Sequence, residues 1–294
     1  THPTGRVVVA FSGGLDTSYC TAWLKETTGA EVVTVTVDTG GFSADELAGL
    51  ENRSRACGAH HHLRLDGRQH AFDRVIVRLI QGNVLRGSVY PLCVSAERLT
   101  QAELLVRTAV ELGAGAIAHG STGAGNDQVR FDVAIRTLAP HLEVLTPIRD
   151  QALTRRQETD WLRSRGIPVS ETSRTYSVNA GLWGTTIGGG AIHDPWQAVP
   201  ADAYPTVVPP ELAPAEGATV TLAFRQGVPV AVDGVELGGP DLVGRLHALG
   251  AAHGVGRGVH LGDTILGIKG RIAFEAPAAT ILLPAHRELE KLVL

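Results

Sequence analysis

The feature that most limits what this chain can fold into is a turn near its start. Arg6–Phe11 (RVVVAF) is a continuous, Val-rich apolar run, and Ser12-Gly13-Gly14-Leu15-Asp16-Thr17-Ser18 follows it directly. An unbroken apolar run of this length predicts a strand buried on both faces of a parallel sheet. A Gly-rich turn at the carboxyl end of such a strand, opening a helix, is where open α/β sheets bind ligands. Backbone N–H groups and the dipole at a helix start attract phosphate, and paired glycines let the phosphate approach the main chain. Ser12, Thr17 and Ser18 add hydroxyl donors, whereas Asp16 beside a phosphate calls for a cation such as Mg²⁺ between the two. The turn has neither the lysine of GxxxxGK[ST] nor the spacing of GxGxxG.

The pattern after this turn alternates. A helix is predicted over Thr17–Glu26, a strand over Glu31–Val37, a helix from a Ser43 cap to Arg55, and a strand over His61–Leu65. Helices over Ala71–Gln81 and Ser95–Leu112, with Ser95 as the cap, precede a short strand at Ala116–Ala118. A strand at Leu142–Leu145 and a helix from Thr154 to Arg165 close the series. Such alternation predicts an α/β fold with a doubly wound parallel sheet. After Gly166 the texture changes to Gly/Ser/Thr-rich and then Pro-rich sequence. Short β signals follow at Thr219–Arg225 and Val228–Val232, with a turn at Asp233-Gly234. A helix is expected at Leu242–Gly250, and strands at Thr264–Ile268 and Thr280–Leu283. The expected domains are therefore 1–168, nucleotide-binding, and 169–294, α+β and substrate-binding.

Composition narrows the classes. A net charge of −4 argues against a dedicated nucleic-acid binder, and the predominance of Arg over Lys reads as genomic base composition. No apolar run approaches the roughly 18 residues of a membrane span. The polar start THPTGR lacks the apolar stretch of a secretory leader, and Thr1 is expected to follow a removed initiator Met. Cys20, Cys57 and Cys93 form no CxxC, so a reducing, cytoplasmic setting is expected. His60, His61 and His62 alternate faces of a strand and cannot all hold one ion. Cys93 reads as a small buried residue, Trp183 as a packing residue and Asp194-Pro195-Trp196 as a turn.

A second Gly-rich loop, His119-Gly120-Ser121-Thr122-Gly123-Ala124-Gly125-Asn126-Asp127-Gln128-Val129-Arg130-Phe131, follows the strand at Ala116–Ala118. It can wrap a small polar ligand in main-chain N–H groups and set Arg130 against a carboxylate or phosphate. The first turn resembles the SGGxD[ST]S pyrophosphate loop of the N-type ATP pyrophosphatases. In order along the chain, AFSGGLDTS, YPLxxSxxR, HGSTGxGNDQVRF, YSVxxxLWG, GVPVAVDG, HGVGR and GIKGR together resemble the argininosuccinate synthase family, from Arg6 to about Leu283.

That resemblance implies an AMP-forming ligase in arginine biosynthesis or specialised metabolism, using ATP with Mg²⁺. A ureido or carbamoyl oxygen is adenylated, pyrophosphate leaves, and the aspartate amine displaces AMP. It implies ATP at Ala10, Phe11, Ser12, Gly13, Gly14, Leu15, Asp16, Thr17, Ser18, Val37 and Gly120, with Asp16 facing the Mg²⁺. It implies aspartate at Arg98, Thr122, Asn126 and Asp127. The second substrate, citrulline or a citrulline-like acceptor, would lie against Tyr90, Ser95, Asn126, Arg130, Ser177, Thr186, Gly262 and Phe274. Ser12, Asp16, Asp127 and Arg130 are the expected catalytic set.

The chain departs from the family pattern at several points. Gly262 stands for a Glu, Phe274 for a Tyr, Gly188 for an acidic residue and Ala124 for a Lys. Losing a carboxylate and a hydroxyl beside one pocket leads to the expectation of an acceptor without the amino-acid ammonium. Relatives also continue past the point corresponding to Leu294 into a helix used in assembly, so an oligomer smaller than the family tetramer is expected, with no nucleic-acid or membrane partner. Two other readings fit the same first turn. One is a non-catalytic ATP-binding paralogue. The other is a different pyrophosphatase-loop enzyme, such as a tRNA thiolase, GMP synthetase or NAD synthetase type, for which paired cysteines or a glutaminase segment are missing.

Overall fold

Val7, Val8 and Val9 are fully buried, as a strand covered on both faces requires. They lie in β1 (Arg6–Ala10) of a computed structural model that describes residues 5–123, 125–169, 175–263, 267 and 269–293. β1 is central in a five-stranded parallel sheet with β2 (Glu31–Asp38), β3 (His61–Asp66), β4 (Ala116–Ala118) and β5 (Glu143–Leu145), ordered β3-β2-β1-β4-β5. The fold is therefore α/β with a doubly wound sheet. The strand order reverses between β1 and β4, so the turns after these two strands open side by side into the crevice that such sheets use for ligands.

The helices follow from local signals. α1 (Leu15–Thr28) starts directly from the Gly-rich turn and ends at Gly29, whose φ of 66° is left-handed. α2 (Ala44–Ala56) carries the expected Ser43 cap as a full capping box with Glu46. Arg68–Gln81 is one rod in three parts: α3 (Arg68–Ala71), a π turn (Phe72–Ile76) and α4 (Val77–Gln81). α5 (Glu97–Glu111) starts later than expected. Ala96 takes the cap position, and Ser95 instead donates to the Leu92 carbonyl at 3.2 Å. The turn before it holds Leu92 at φ 63° and Val94 at φ 59°, sparsely populated for branched side chains. α6 (Asp127–Leu138) emerges where only a loop was expected; Phe131 and Ile135, one turn apart, bury its inner face. α7 (Pro147–Asp150) precedes α8 (Arg155–Arg163), which is capped by Thr154 and Gln157 as a box.

The second half builds two antiparallel sheets. β6 (Ser177–Gly181) and β7 (Gly184–Gly188) form a hairpin, which with β11 (Arg257–Asp263) and β12 (Lys269–Glu275) gives the order β11-β12-β7-β6. β8 (Leu222–Arg225), β9 (Val228–Val232) and β10 (Val235–Glu236) form the other, with Asp233 and Gly234 at positive φ in the expected turn. α9 (Gly239–Ala252) and α10 (Pro277–Val293) complete the chain. Thr280–Leu283, expected as a strand, lies inside α10. Leu282, Leu283 and His286 share a buried helical face with Ala278 and Ala279, and a four-residue apolar run does not separate strand from helix. The strand expected at Thr264–Ile268 lies outside the described residues but for Gly267, which is a bend.

The core of the second half also takes in Phe72, Ile76, Ile80, Tyr90 and Cys93 from the first, packed with Trp183, Leu242, Leu246, Phe274 and Leu282. Trp183 is a packing residue, as expected, and its indole N–H donates to the Pro91 carbonyl at 2.9 Å. A second tie is electrostatic. Glu97, at the start of α5 and 1% exposed, accepts from the Trp183 N–H at 2.8 Å and the Leu182 N–H at 3.2 Å. A Cβ on neighbouring Gly181 would stand 2.2 Å from Glu97 Oε2, so only glycine permits this approach.

Burial lifts the Glu97 carboxyl from 4.5 to about 7, against the opposing pull of the Trp183 amide, the Thr39 hydroxyl, the Leu182 amide and the Arg98 charge. Between those two values the unfolded chain has released this proton while the folded chain keeps it. The contribution of Glu97 to stability therefore falls as pH rises from 4.5 to about 7. Urea unfolding at about pH 5 and about pH 7.5 should show this fall in the wild type and a shallower one in Glu97→Gln. Gly181→Ala should lower stability by about 2–4 kcal/mol in the same assay, because it displaces a buried, hydrogen-bonded carboxylate.

Candidate functional site

The turn after β1 is organised by its own hydroxyls. Thr17 Oγ1 lies 3.3 Å from Ser12 Oγ and donates to the Gly14 carbonyl at 3.3 Å, and the Gly14 N–H points to Ser12 Oγ at 3.4 Å. Gly14 caps α1 without a side-chain acceptor. The first N–H groups of this helix therefore have no side-chain acceptor at the cap. Gly13 sits at φ 73°, and its carbonyl accepts from Arg53 Nη1 at 2.8 Å, so α2 braces the turn from behind.

Asp16, in the first turn of α1, carries a charge that the helix dipole favours but a phosphate would repel. Arg155 Nη1 stands 3.9 Å from it. Glu158, one turn further along α8, is buried and hydrogen-bonded to Asp16, while its Oε2 has no partner. Burial and the Asp16 charge raise the Glu158 carboxyl well above its usual range. Two carboxyls and an orphaned oxygen beside a phosphate turn suit a hard divalent cation that takes most of its remaining ligands from phosphate and water. Among the described residues no cluster of three or more His, Cys, Asp or Glu is arranged to hold a metal alone.

The turn after β4 faces the first turn across the crevice, and a Cβ on Gly120 would stand 3.1 Å from Asp16. It is pinned from below. His119 Nε2 lies 2.8 Å from Asp132, Arg149 pairs with Asp132 at 3.0 Å, and Gln128 bridges Arg149 to the Gly123 carbonyl. Burial holds His119 below its usual value despite the Asp132 carboxylate. At the start of α6, Asp127 accepts from Arg98 Nε at 3.0 Å and from Arg130 Nη1 at 2.6 Å. Burial opposes ionisation of Asp127, but the two guanidiniums overcome it and hold the carboxyl below its usual value. Gln101 orients Arg98 at 2.7 Å and reaches Thr39 Oγ1 at 3.3 Å.

A single cleft of about 960 Å³ joins these parts. Most residues expected to bind ligands line it: Ala10, Phe11, Ser12, Gly14, Leu15, Asp16, Thr17, Val37 and Gly120 at one end, and Arg98, Thr122, Asn126, Asp127 and Arg130 in the middle. Tyr90, Ser95, Ser177, Thr186 and Gly262 line the far end. Three expected residues stand behind the wall. Gly13 faces Arg53 and Leu50, Ser18 is buried against Cys57, and Phe274 is 3% exposed, packed against Tyr90 at 5.3 Å between ring centroids. Ala124 lies outside the described residues.

The sequence reading missed Arg86, Gln101, Arg155, Glu158, Asn179 and His260. All but Glu158 line the cleft, and Glu158 touches Asp16. Only Arg155 and Glu158 left a signal, as charged residues in the first turn of the helix capped by Thr154. Cys93 is buried, its thiol pushed up by burial, as expected for a packing residue. Among the described residues no helix is long and apolar enough to cross a membrane.

The chain matches two family models, the arginosuccinate synthase N-terminal HUP domain over residues 6–168 and the arginosuccinate synthase C-terminal domain over residues 176–294. It is 44% identical over 292 residues to the argininosuccinate synthase of Chlorobaculum tepidum, covering 98% of this chain and 72% of that protein. It is 42% identical over 289 residues to that of Pyrobaculum aerophilum, with the same coverage. To that of Pyrococcus furiosus it is 40% identical over 289 residues, covering 98% of this chain and 70% of the relative.

Gly13→Ala should weaken ATP binding by about tenfold or more. The left-handed backbone disfavours a side chain, and its Cβ would meet Leu50 Cδ2 at 2.6 Å. Fluorescent-nucleotide titration checks this, with circular dichroism to show that the fold persists.

Proposed function

The chain belongs to the argininosuccinate synthase family, and on that footing we propose that it is an ATP-dependent, AMP-forming ligase joining aspartate to a ureido or carbamoyl acceptor, citrulline or a citrulline-like compound. The observation that carries this reading is the single cleft. An anion-binding helix start, an Arg–Asp–Arg cluster and a mixed polar and apolar far end open into one volume at the switch point of the sheet.

In this reading the turn Ser12–Ser18 holds the phosphates, and Ala10, Phe11, Val37 and Gly120 hold the nucleoside. Arg98, Thr122, Asn126 and Asp127 hold aspartate, and Tyr90, Ser95, Asn126, Arg130, Ser177, Thr186 and Gly262 line the acceptor site. Gly13, Ser18 and Phe274 shape these walls from behind. Residues 1–168 then supply the nucleotide and aspartate sites and share the acceptor site with residues 169–294. Asp16 would hold the Mg²⁺ that accompanies ATP, with Glu158 behind it, and the ion when bound neutralises phosphate charge. The acceptor's ureido oxygen attacks the α-phosphorus, forming an O–P bond as the bond to pyrophosphate breaks. The neutral aspartate amine then attacks the activated carbon and gives up a proton, and AMP leaves with the former ureido oxygen. Orientation and charge neutralisation supply the acceleration, and no covalent nucleophile is required.

Acceptor labelled with ¹⁸O at the ureido position should yield ¹⁸O in AMP by mass spectrometry. Label retained in the ligated product would sink the mechanism. Asp16→Ala should lower pyrophosphate release by about 10²-fold or more. A wild type that binds ATP but releases no pyrophosphate would leave only a nucleotide-binding role.

A further inference from the structure

The Arg98 guanidinium is held on two sides. Its Nε donates to Asp127 Oδ2 at 3.0 Å, and its Nη1 donates to Gln101 Oε1 at 2.7 Å. A guanidinium tied at one nitrogen still swings about that contact, whereas ties at Nε and Nη1 fix its plane and its rotation together. Asp127 alone gives Arg98 a single hydrogen bond, because its other oxygen, Oδ1, accepts from Arg130. Gln101 supplies the second. It follows Arg98 by three residues on α5, a spacing that sets two side chains together on one helix face, and both residues line the cleft.

What lies behind Gln101 decides which way its amide faces. Its Nε2 donates to Thr39 Oγ1 at 3.3 Å, just past the end of β2. Thr39 is buried, and its hydroxyl is hydrogen-bonded to the Glu97 carboxyl. That bond favours the ionised acid, so the hydroxyl is its donor. With its proton directed to Glu97, Thr39 offers Gln101 a lone pair. The amide N–H takes that lone pair, and the amide oxygen is left for Arg98.

The donors therefore run in one direction, from Arg98 to Gln101 to Thr39 to Glu97. Hydrogen bonds aligned in this way polarise and strengthen one another. The chain ends on the turn between β6 and β7, whose Leu182 and Trp183 amides donate to Glu97. The Leu182 N–H also reaches the Thr39 carbonyl at 2.7 Å. Arg98 is thus oriented by groups from the end of β2 and from the second half of the chain, as well as by its own helix.

We infer that Gln101 is a positioning residue for the aspartate site: it acts through Arg98, setting that guanidinium for the incoming carboxylate. This rests on the ligase reading above, which places aspartate against Arg98, and adds a residue to it.

The test is calorimetric titration of L-aspartate into the full chain saturated with α,β-methylene-ATP, whose α–β linkage is not cleaved. Gln101→Leu, similar in size but without polar atoms, should weaken aspartate binding about fivefold or more, with affinity for the nucleotide analogue within about twofold of wild type. Gln101→Asn, whose amide falls one methylene short of Arg98, should shift both affinities in the same sense. Because the effect runs through Arg98, Gln101→Leu should change aspartate affinity by only about twofold or less in an Arg98→Lys background. Three results overturn the assignment and leave the ligase standing. One is aspartate affinity within about twofold of wild type in both Gln101 variants. Another is equal weakening of aspartate and nucleotide, which marks a general structural role. The third is an undiminished Gln101→Leu effect in the Arg98→Lys background, which marks direct contact with substrate. A wild type that binds the nucleotide analogue but not aspartate overturns the ligase reading and this inference together.

Discussion

The cleft depends on one buried carboxylate. Glu97 belongs to the helix that starts beside the crevice, yet its oxygens accept amides from Leu182 and Trp183, in the turn between the strands that wall the far end. A carboxylate out of water costs several kcal/mol unless its lone pairs are engaged. Here two backbone N–H groups supply the partners, and Gly181 leaves the room. The end of the cleft at the Ser12–Ser18 turn and the end at Ser177 and Thr186 are thereby held at a set separation. The apolar core reinforces this by crossing the midline of the sequence, with Phe72, Ile76 and Tyr90 packed against Trp183 and Phe274.

Within that frame, charge is placed in interlocked groups. Asp127 sits between two guanidiniums, which fixes both arginines and keeps the carboxyl ionised. His119, Asp132, Arg149 and Gln128 do the same for the loop after β4. Preorganised dipoles and charges of this kind need little rearrangement when charge develops on a substrate. The Asp16–Glu158 pair differs, because two carboxyls in contact are strained until a cation or a proton separates them. That asymmetry sets the Ser12–Ser18 turn apart from the rest of the cleft.

Two positions read in the sequence as departures from the family pattern, 262 and 274, differ in three dimensions. Phe274 turns out to be a core residue behind Tyr90, so a hydroxyl missing there acts at one remove from the cleft. Gly262, by contrast, opens directly into it, and the space is partly taken by His260. Reading the two positions as equal partners of one lost contact was too simple; one changes the packing behind the wall and the other changes the wall.

By itself the sequence determined the elements whose causes are local. A Val-rich run ending in Ser-Gly-Gly specifies a buried strand and an anion-ready helix start, and Ser43 with Glu46, Thr154 with Gln157 and Asp233-Gly234 specify their caps and turn. The motifs likewise identified the family. Tertiary structure alone decided what depends on distant partners. The strands β6, β7, β11 and β12 alternate weakly and become one sheet only through pairing across up to 90 residues, as between Thr185 and Glu275. Thr280–Leu283 became helix because Leu242 and Leu246 of α9 offer a face to pack on. The surroundings of Glu97, Glu158 and His260 were hidden for the same reason. What distinguishes a buried carboxyl or imidazole is the set of groups that satisfies it or fails to, and those groups come from elsewhere in the chain.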